Sequence, residues 1–166
     1  GRMNNVGLAI DYLFCEESEV EDLYNKIVLT NDERKAKTKE AVATAESIMD
    51  INSPSIVLAL NNVAGIAGII ASDLSSRFNK CTIVFSSHGN NKYLIGSARS
   101  TGSIHLLNVL RELKTDAIVK VGGHAGACGF SLKRENLEAL RKGLASEMAK
   151  ICEVNPDIFT KKYNIE

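Results

Sequence analysis

Residues 55–86 read SIVLALNNVAGIAGIIASDLSSRFNKCTIVFS, and the fold class follows from how this stretch divides. Ser55 to Leu60 is a short apolar run, β-branched at its start, that follows the break at Asn52, Ser53 and Pro54; it has the pattern of a buried strand. Gly65 to Phe78 is expected to be helical, with Ala64, Gly65, Ala67, Gly68 and Ala71 forming a small-residue face able to approach a sheet closely. Cys81 to Ser86 is a second buried strand. A strand, a helix and a strand in about thirty residues make one layered α/β unit.

The downstream sequence continues the alternation. His88 to Asn91 is expected to turn, Tyr93 to Ala98 to form a third strand, and Ile104 to Leu113 a helix. Ala117 to Val121 and Phe130 to Leu132 read as further strands. Asn136 to Ile151 closes the unit as an amphipathic helix with Leu137, Leu140, Leu144 and Met148 at helical spacing. The expected fold is therefore α/β, a central β-sheet flanked by helices over residues 53–151.

Upstream, residues 5–14 read as a short helix. Ser18 followed by Glu21 has the spacing of a capping box and opens a long helix to about Met49. The stretch Asn31 to Glu40 is almost wholly polar, and a helix that loses its apolar stripe halfway is expected to bridge two bodies. Residues 1–52 are thus expected to be a helical connector, and 152–166, with Asn155 and Pro156, a second connector.

Composition narrows the function classes. The chain has 166 residues, 45% hydrophobic and 24% charged, enough for one cored domain with an appendage. No apolar run is long enough to span a bilayer, and the polar N-terminus lacks the apolar core of a signal peptide. The four cysteines, Cys15, Cys81, Cys128 and Cys152, form no C-x-x-C pair, which fits buried thiols in a reducing cytoplasm rather than a zinc or disulfide framework. The formal net charge is zero, but residues 1–50 carry six Lys/Arg against eleven Asp/Glu, whereas residues 89–134 carry seven against two. A basic second half suggests an anionic ligand on one side only.

Two segments in that basic half could hold such a ligand. Gly122-Gly123-His124-Ala125-Gly126-Ala127-Cys128-Gly129 follows a predicted strand, and its glycines let backbone N–H groups come close to an anion. His124 could donate to a phosphate oxygen. The competing reading is a glycine-rich turn packed on a neighbouring helix, with His124 satisfying a carbonyl. Gly96-Ser97-Ala98-Arg99-Ser100-Thr101-Gly102 puts Arg99 near a strand end between hydroxyl residues, a composition suited to gripping phosphate in a fork. A surface arginine in a polar loop is the alternative there.

Residues for metal-assisted phosphodiester hydrolysis are missing from the pattern. Two-metal chemistry needs clustered carboxylates and histidines. Here His88, His105 and His124 have no acid in ligand spacing, and no D-x-D, D-H-H or H-x-x-x-H occurs. Neither a catalytic residue nor a metal ligand is assigned to this chain.

At these two segments the sequence resembles a known family. Gly96 to Ser100 and Gly122 to Gly129 are similar to the paired signatures of the DHH-associated domain of RecJ-type single-strand exonucleases. Gly65 to Ser72 resembles that family's G-x-x-G-I-x-A-S helix, and Asn31-Asp32-Glu33-Arg34 the N-x-x-R of its long connecting helix. Arg2 to Gly7 is similar to the R-[IL]-N-A-A-G that ends the catalytic DHH domain. Leu8 stands where an arginine often follows, and Asn62-Val63 where the family has W-H.

The resemblance implies a single-strand DNA-binding part of a 5′-to-3′ exonuclease serving recombination and repair. It implies a partner DHH domain of the same polypeptide holding manganese or magnesium, a cytoplasmic setting and no membrane. Ser97, Arg99 and Ser100 would hold backbone phosphate, and Gly122, Gly123 and His124 would line the same cleft. Two alternatives stay open: the binding domain of a DHH phosphodiesterase acting on short oligonucleotides or cyclic dinucleotides, and a non-catalytic adaptor.

Overall fold

Five strands form a single mixed sheet in the order β1-β2-β3-β5-β4. In chain order the elements are α1 (Val6–Phe14), α2 (Val20–Ile48), β1 (Ser55–Asn61), α3 (Ala67–Phe78), β2 (Cys81–Ser87), β3 (Tyr93–Arg99), α4 (Leu106–Glu112), β4 (Ile118–His124), β5 (Ala127–Lys133) and α5 (Leu137–Val154). The computed structural model describes residues 2–87, 92–101, 104–113 and 118–159. The turn expected at His88 to Asn91, the start of the strand expected at Ala117 and the end of the 152–166 tail lie outside the described residues.

β1 and β2 are parallel, joined by the α3 crossover that a parallel pair requires, whereas β2-β3, β3-β5 and β5-β4 are antiparallel. Alternation along the strands sends side chains to two faces. One face carries Val57, Ile83, Phe85, Leu94, Phe130 and Leu132 beneath α4 and α5, which contribute Leu106, Leu110, Leu140, Leu144 and Met148. The other carries Ile56, Leu58, Leu60 and Val84 beneath Ile70 and Leu74 of α3. α3 packs chiefly on β2 and β3, and on that face β5 and β4 lie beyond it, which is what exposes the site.

Phe85 and Phe130 meet edge to face, with ring centroids 5.2 Å apart. A Cβ at Gly96 would lie 2.5 Å from the Phe85 ring, so the glycine makes room for this pair. Gly96→Ala should cost about 1–3 kcal/mol through overpacking, read as a lower denaturant midpoint at unchanged slope.

Several boundaries differ from the sequence reading. The capping box is formed by Glu16 and Glu19 on a 3-10 turn, not by Ser18 and Glu21: the Glu19 carboxylate accepts from the Glu16 N–H at 3.2 Å. α3 begins at Ala67, after a turn in which the Ile66 and Ala67 N–H groups donate to the Val63 carbonyl, and a Cβ at Gly65 would stand 1.7 Å from the Arg2 carbonyl oxygen. α4 begins at Leu106, where the His105 side chain accepts from the Asn108 N–H. β3 continues through Arg99, placing that residue in the ladder rather than after it.

The largest correction concerns residues 122–129. They are not a loop but a β-hairpin: β4 runs to His124, β5 starts at Ala127, and only Ala125 and Gly126 turn. The turn is tied down by two backbone bonds, Ser100 N–H to the Gly126 carbonyl at 2.9 Å and Leu106 N–H to the Ala125 carbonyl at 3.1 Å.

α2 is continuous through its polar middle, stabilised locally by pairs such as Lys35–Asp32, and its one buried residue is Ala45. Ala41, Val42 and Ala45 are its contribution to the α3-side core. α1 buries nothing, and Leu13 and Phe14 are 75% and 84% exposed.

Candidate nucleic-acid interface

The ladder registers bring the two sequence segments into adjacent rows. Arg99 pairs with Ala127, which pairs with His124; Ser97 pairs with Gly129, which pairs with Gly122. Residues opposed across a ladder share a face. Ser97, Arg99, Ala127, Gly129, Gly122 and His124 therefore lie on one side, the face on which α3 packs, with the β3 residues beside the helix and those of β5 and β4 beyond it. The alternating exposure of β3 and β5 agrees, with Leu94, Gly96 and Ala98 and also Cys128, Phe130 and Leu132 pointing to the core. Arg99 and His124 are two strand spacings apart, about 10 Å between backbones.

The glycines divide into two kinds. A Cβ at Gly122 would meet nothing within 4 Å, and one at Gly129 only the Gly96 carbonyl at 3.7 Å. The fold does not need glycine at either position, and together they leave a bare backbone floor. Gly123 has φ +139°, and a Cβ there would stand 2.3 Å from the Ala127 carbonyl oxygen. It faces the core side opposite Cys128 and is required by the hairpin geometry itself.

Arg99 is half-buried. Its Nη1 donates to the Ala98 carbonyl at 2.8 Å. Its Nη2 lies 2.9 Å from where a Cβ on Gly68 would stand, and Ser97 Oγ lies 3.5 Å from the same point. The guanidinium thus lies back along the strand beside Ser97, against the first turn of α3. The positive end of a helix dipole and an arginine converge there, which suits a phosphate. Gly68, read in the sequence as part of a small-residue packing face and not as a site residue, makes this seat by lacking a side chain.

His124 is exposed, and its Nδ1 accepts from the Gly126 N–H at 3.3 Å. With Nδ1 as acceptor, a neutral ring carries its proton on Nε2 and can donate it outward. Ser100 behaves differently from its sequence assignment. Its hydroxyl donates to the Ile104 carbonyl at 2.6 Å, so it braces the end of β3 rather than offering a free donor.

Cys128, beneath this face, has its thiol pushed up to about 11 by burial, partly offset by the charge of Arg99. It stays protonated near neutrality and offers no nucleophile. Among the described residues no group of three or more His, Cys, Asp or Glu could hold a metal ion. The described residues include no helix long and apolar enough to cross a membrane.

Comparison with known proteins places the family and the fold. Residues 52–150 match the DHHA1 domain model. The single-stranded-DNA-specific exonuclease RecJ of Bacillus subtilis is 33% identical over 150 residues, covering 87% of this chain and 19% of that relative. RecJ from Thermus thermophilus, solved in complex with Mg2+, superposes with a TM-score of 0.78 over 90% of this chain and 23% of its own, at 22% identity. A pGpG-specific phosphodiesterase from Vibrio cholerae shares the fold at a TM-score of 0.55 and 16% identity, covering 85% of this chain and 48% of that one. The chain spans about a fifth of the length of the curated relative.

Proposed function

This chain belongs to the DHHA1 domain family, and on that premise we propose that it binds the sugar–phosphate backbone of single-stranded DNA on the sheet face beside α3. The observation that carries the reading is the pair of rows Ser97–Gly129–Gly122 and Arg99–Ala127–His124 running out from beside α3 across β5 and β4. Arg99 supplies a charge-assisted fork and Ser97 a neighbouring hydroxyl. Gly122 and Gly129 let the strand approach the sheet closely, and His124 donates from the far strand through Nε2. Gly123 and Ser100 act indirectly, by fixing the hairpin and the end of β3.

The whole polypeptide is proposed to be a RecJ-like 5′-to-3′ exonuclease of DNA repair and recombination, acting in the cytoplasm. Residues 1–52 would connect to a DHH domain of the same chain that holds manganese or magnesium, and 152–166 would lead onward. The described residues here do not fit such an ion, so the cutting step is assigned to that domain. The role of this chain is to hold and orient the strand. The 16% identity to the pGpG phosphodiesterase supports the shared fold alone, so the alternative of a phosphodiesterase acting on short oligonucleotides or cyclic dinucleotides gains nothing from it.

Labelled oligo-dT titrated by fluorescence anisotropy tests this. For single strands, the logarithm of affinity should fall with the logarithm of salt with a slope of about −0.7 per phosphate contacted. Binding by two or three contacts is expected to give a slope of about −1.4 to −2.1. An absence of binding at low salt would remove the proposal.

A further inference from the structure

Beyond the phosphate rows, the same face carries two residues that the fold does not account for. Tyr93 and Ile95 alternate with buried Leu94 and Gly96 and so share the face of Ser97 and Arg99. They are 46% and 67% exposed although β3 is the central strand. Ile95 stands between Ser86 of β2 and Ser131 of β5, two small polar neighbours that leave it raised. Tyr93 is opposite Lys133, and Lys92 Nζ lies 6.0 Å from its ring centroid. The strand start is fixed by the Arg134 N–H donating to the Lys92 carbonyl at 2.9 Å.

We propose that Tyr93 and Ile95 form a base-stacking platform for a single strand whose phosphates lie on Ser97 and Arg99, an inference that rests on the backbone-binding reading above. The occupant follows from the face itself. Its rows hold an aromatic ring, an aliphatic side chain, hydroxyls, glycines and the cations Arg99 and Lys133. Tyr93, Ile95, Ser97, Arg99, Gly122, His124 and the β5 residues on this side include no Asp or Glu. Apolar rings beside cations, without carboxylates, match nucleobases joined by phosphates. The platform begins one step from Ser97 and reaches Tyr93 about 13 Å away, four residues at about 3.3 Å each. Every base has a stackable face, so the platform tolerates any sequence.

The chain contains no tryptophan, so Tyr93→Trp installs a single indole reporter. Two ligands of equal length separate the contributions: oligo-dT and an abasic deoxyribose-phosphate oligomer. The emission of Tyr93→Trp is expected to be quenched by oligo-dT and left unchanged by the abasic oligomer. Tyr93→Ala should lose about 5- to 150-fold in oligo-dT affinity with its abasic affinity retained and its melting temperature near that of the parent. Ile95→Ser should show the same selectivity more weakly. If the parent chain binds both oligomers equally and Tyr93→Ala alters neither, the platform is wrong while backbone binding stands. If the parent binds neither, both ideas fall.

Discussion

Gly123→Ala is expected to cost the domain about 2–4 kcal/mol, whereas Gly122→Ala, one residue earlier, is expected to leave stability within about 0.5 kcal/mol. At Gly123 the backbone has φ +139°, and the new methyl would sit 2.3 Å from the Ala127 carbonyl oxygen and 2.6 Å from the Cys128 Cα. Both are backbone atoms held in the β4–β5 ladder, so neither can move without breaking cross-strand bonds. At Gly122 the methyl meets nothing within 4 Å. It enters the bare floor instead and is expected to weaken oligo-dT binding by roughly 1 kcal/mol. Denaturant melts and anisotropy on the two variants would therefore separate: one loses folding, the other binding. Equal stability of the two would contradict the hairpin geometry.

Arg99→Glu is expected to reduce oligo-dT affinity by about 150-fold or more, the equivalent of about 3 kcal/mol. The change removes the fork that faces phosphate and puts a like charge in its place. Stability should hold, since the carboxylate would lie beside the first turn of α3, where a negative charge is favoured. The native guanidinium makes one bond to the Ala98 carbonyl and rests against Gly68, contacts whose loss is small beside a domain's total stability. A melt matching that of the parent, together with lost binding, identifies a ligand contact. Lost folding would mark Arg99 as a structural residue instead.

Much of this architecture was legible in the residues. The run from Ser55 to Ser86 declares strand, helix and strand through its β-branched ends and small-residue middle, and Leu140, Leu144 and Met148 declare the last helix. The hairpin at 122–129 was not legible as such. Glycine and alanine carry almost no hydrophobic contrast, so β4 lost its alternation just where it mattered. A signal did survive in Ala127 to Lys133, where Cys128, Phe130 and Leu132 alternate with Ala127, Gly129, Ser131 and Lys133. Reading that period of two would have extended the strand and put the site on a sheet face.

Arg99 and Ser97 stood out as site candidates because their type and neighbours suit phosphate. Gly68 did not, since its role depends on an arginine reaching back from a strand some thirty residues later. Ser100 looked equivalent to Ser97 in sequence, but the parity of the strand points it away and its hydroxyl serves Ile104. Parity, more than residue type, decided which members of the two segments face a ligand.

The decisive measurement is the salt dependence of oligo-dT binding by Arg99→Ala beside the parent chain. Loss of one phosphate contact should make the logarithmic slope shallower by about 0.7. A weaker complex with an unchanged slope would mean that Arg99 touches no phosphate, and this sheet face would lose its assigned role.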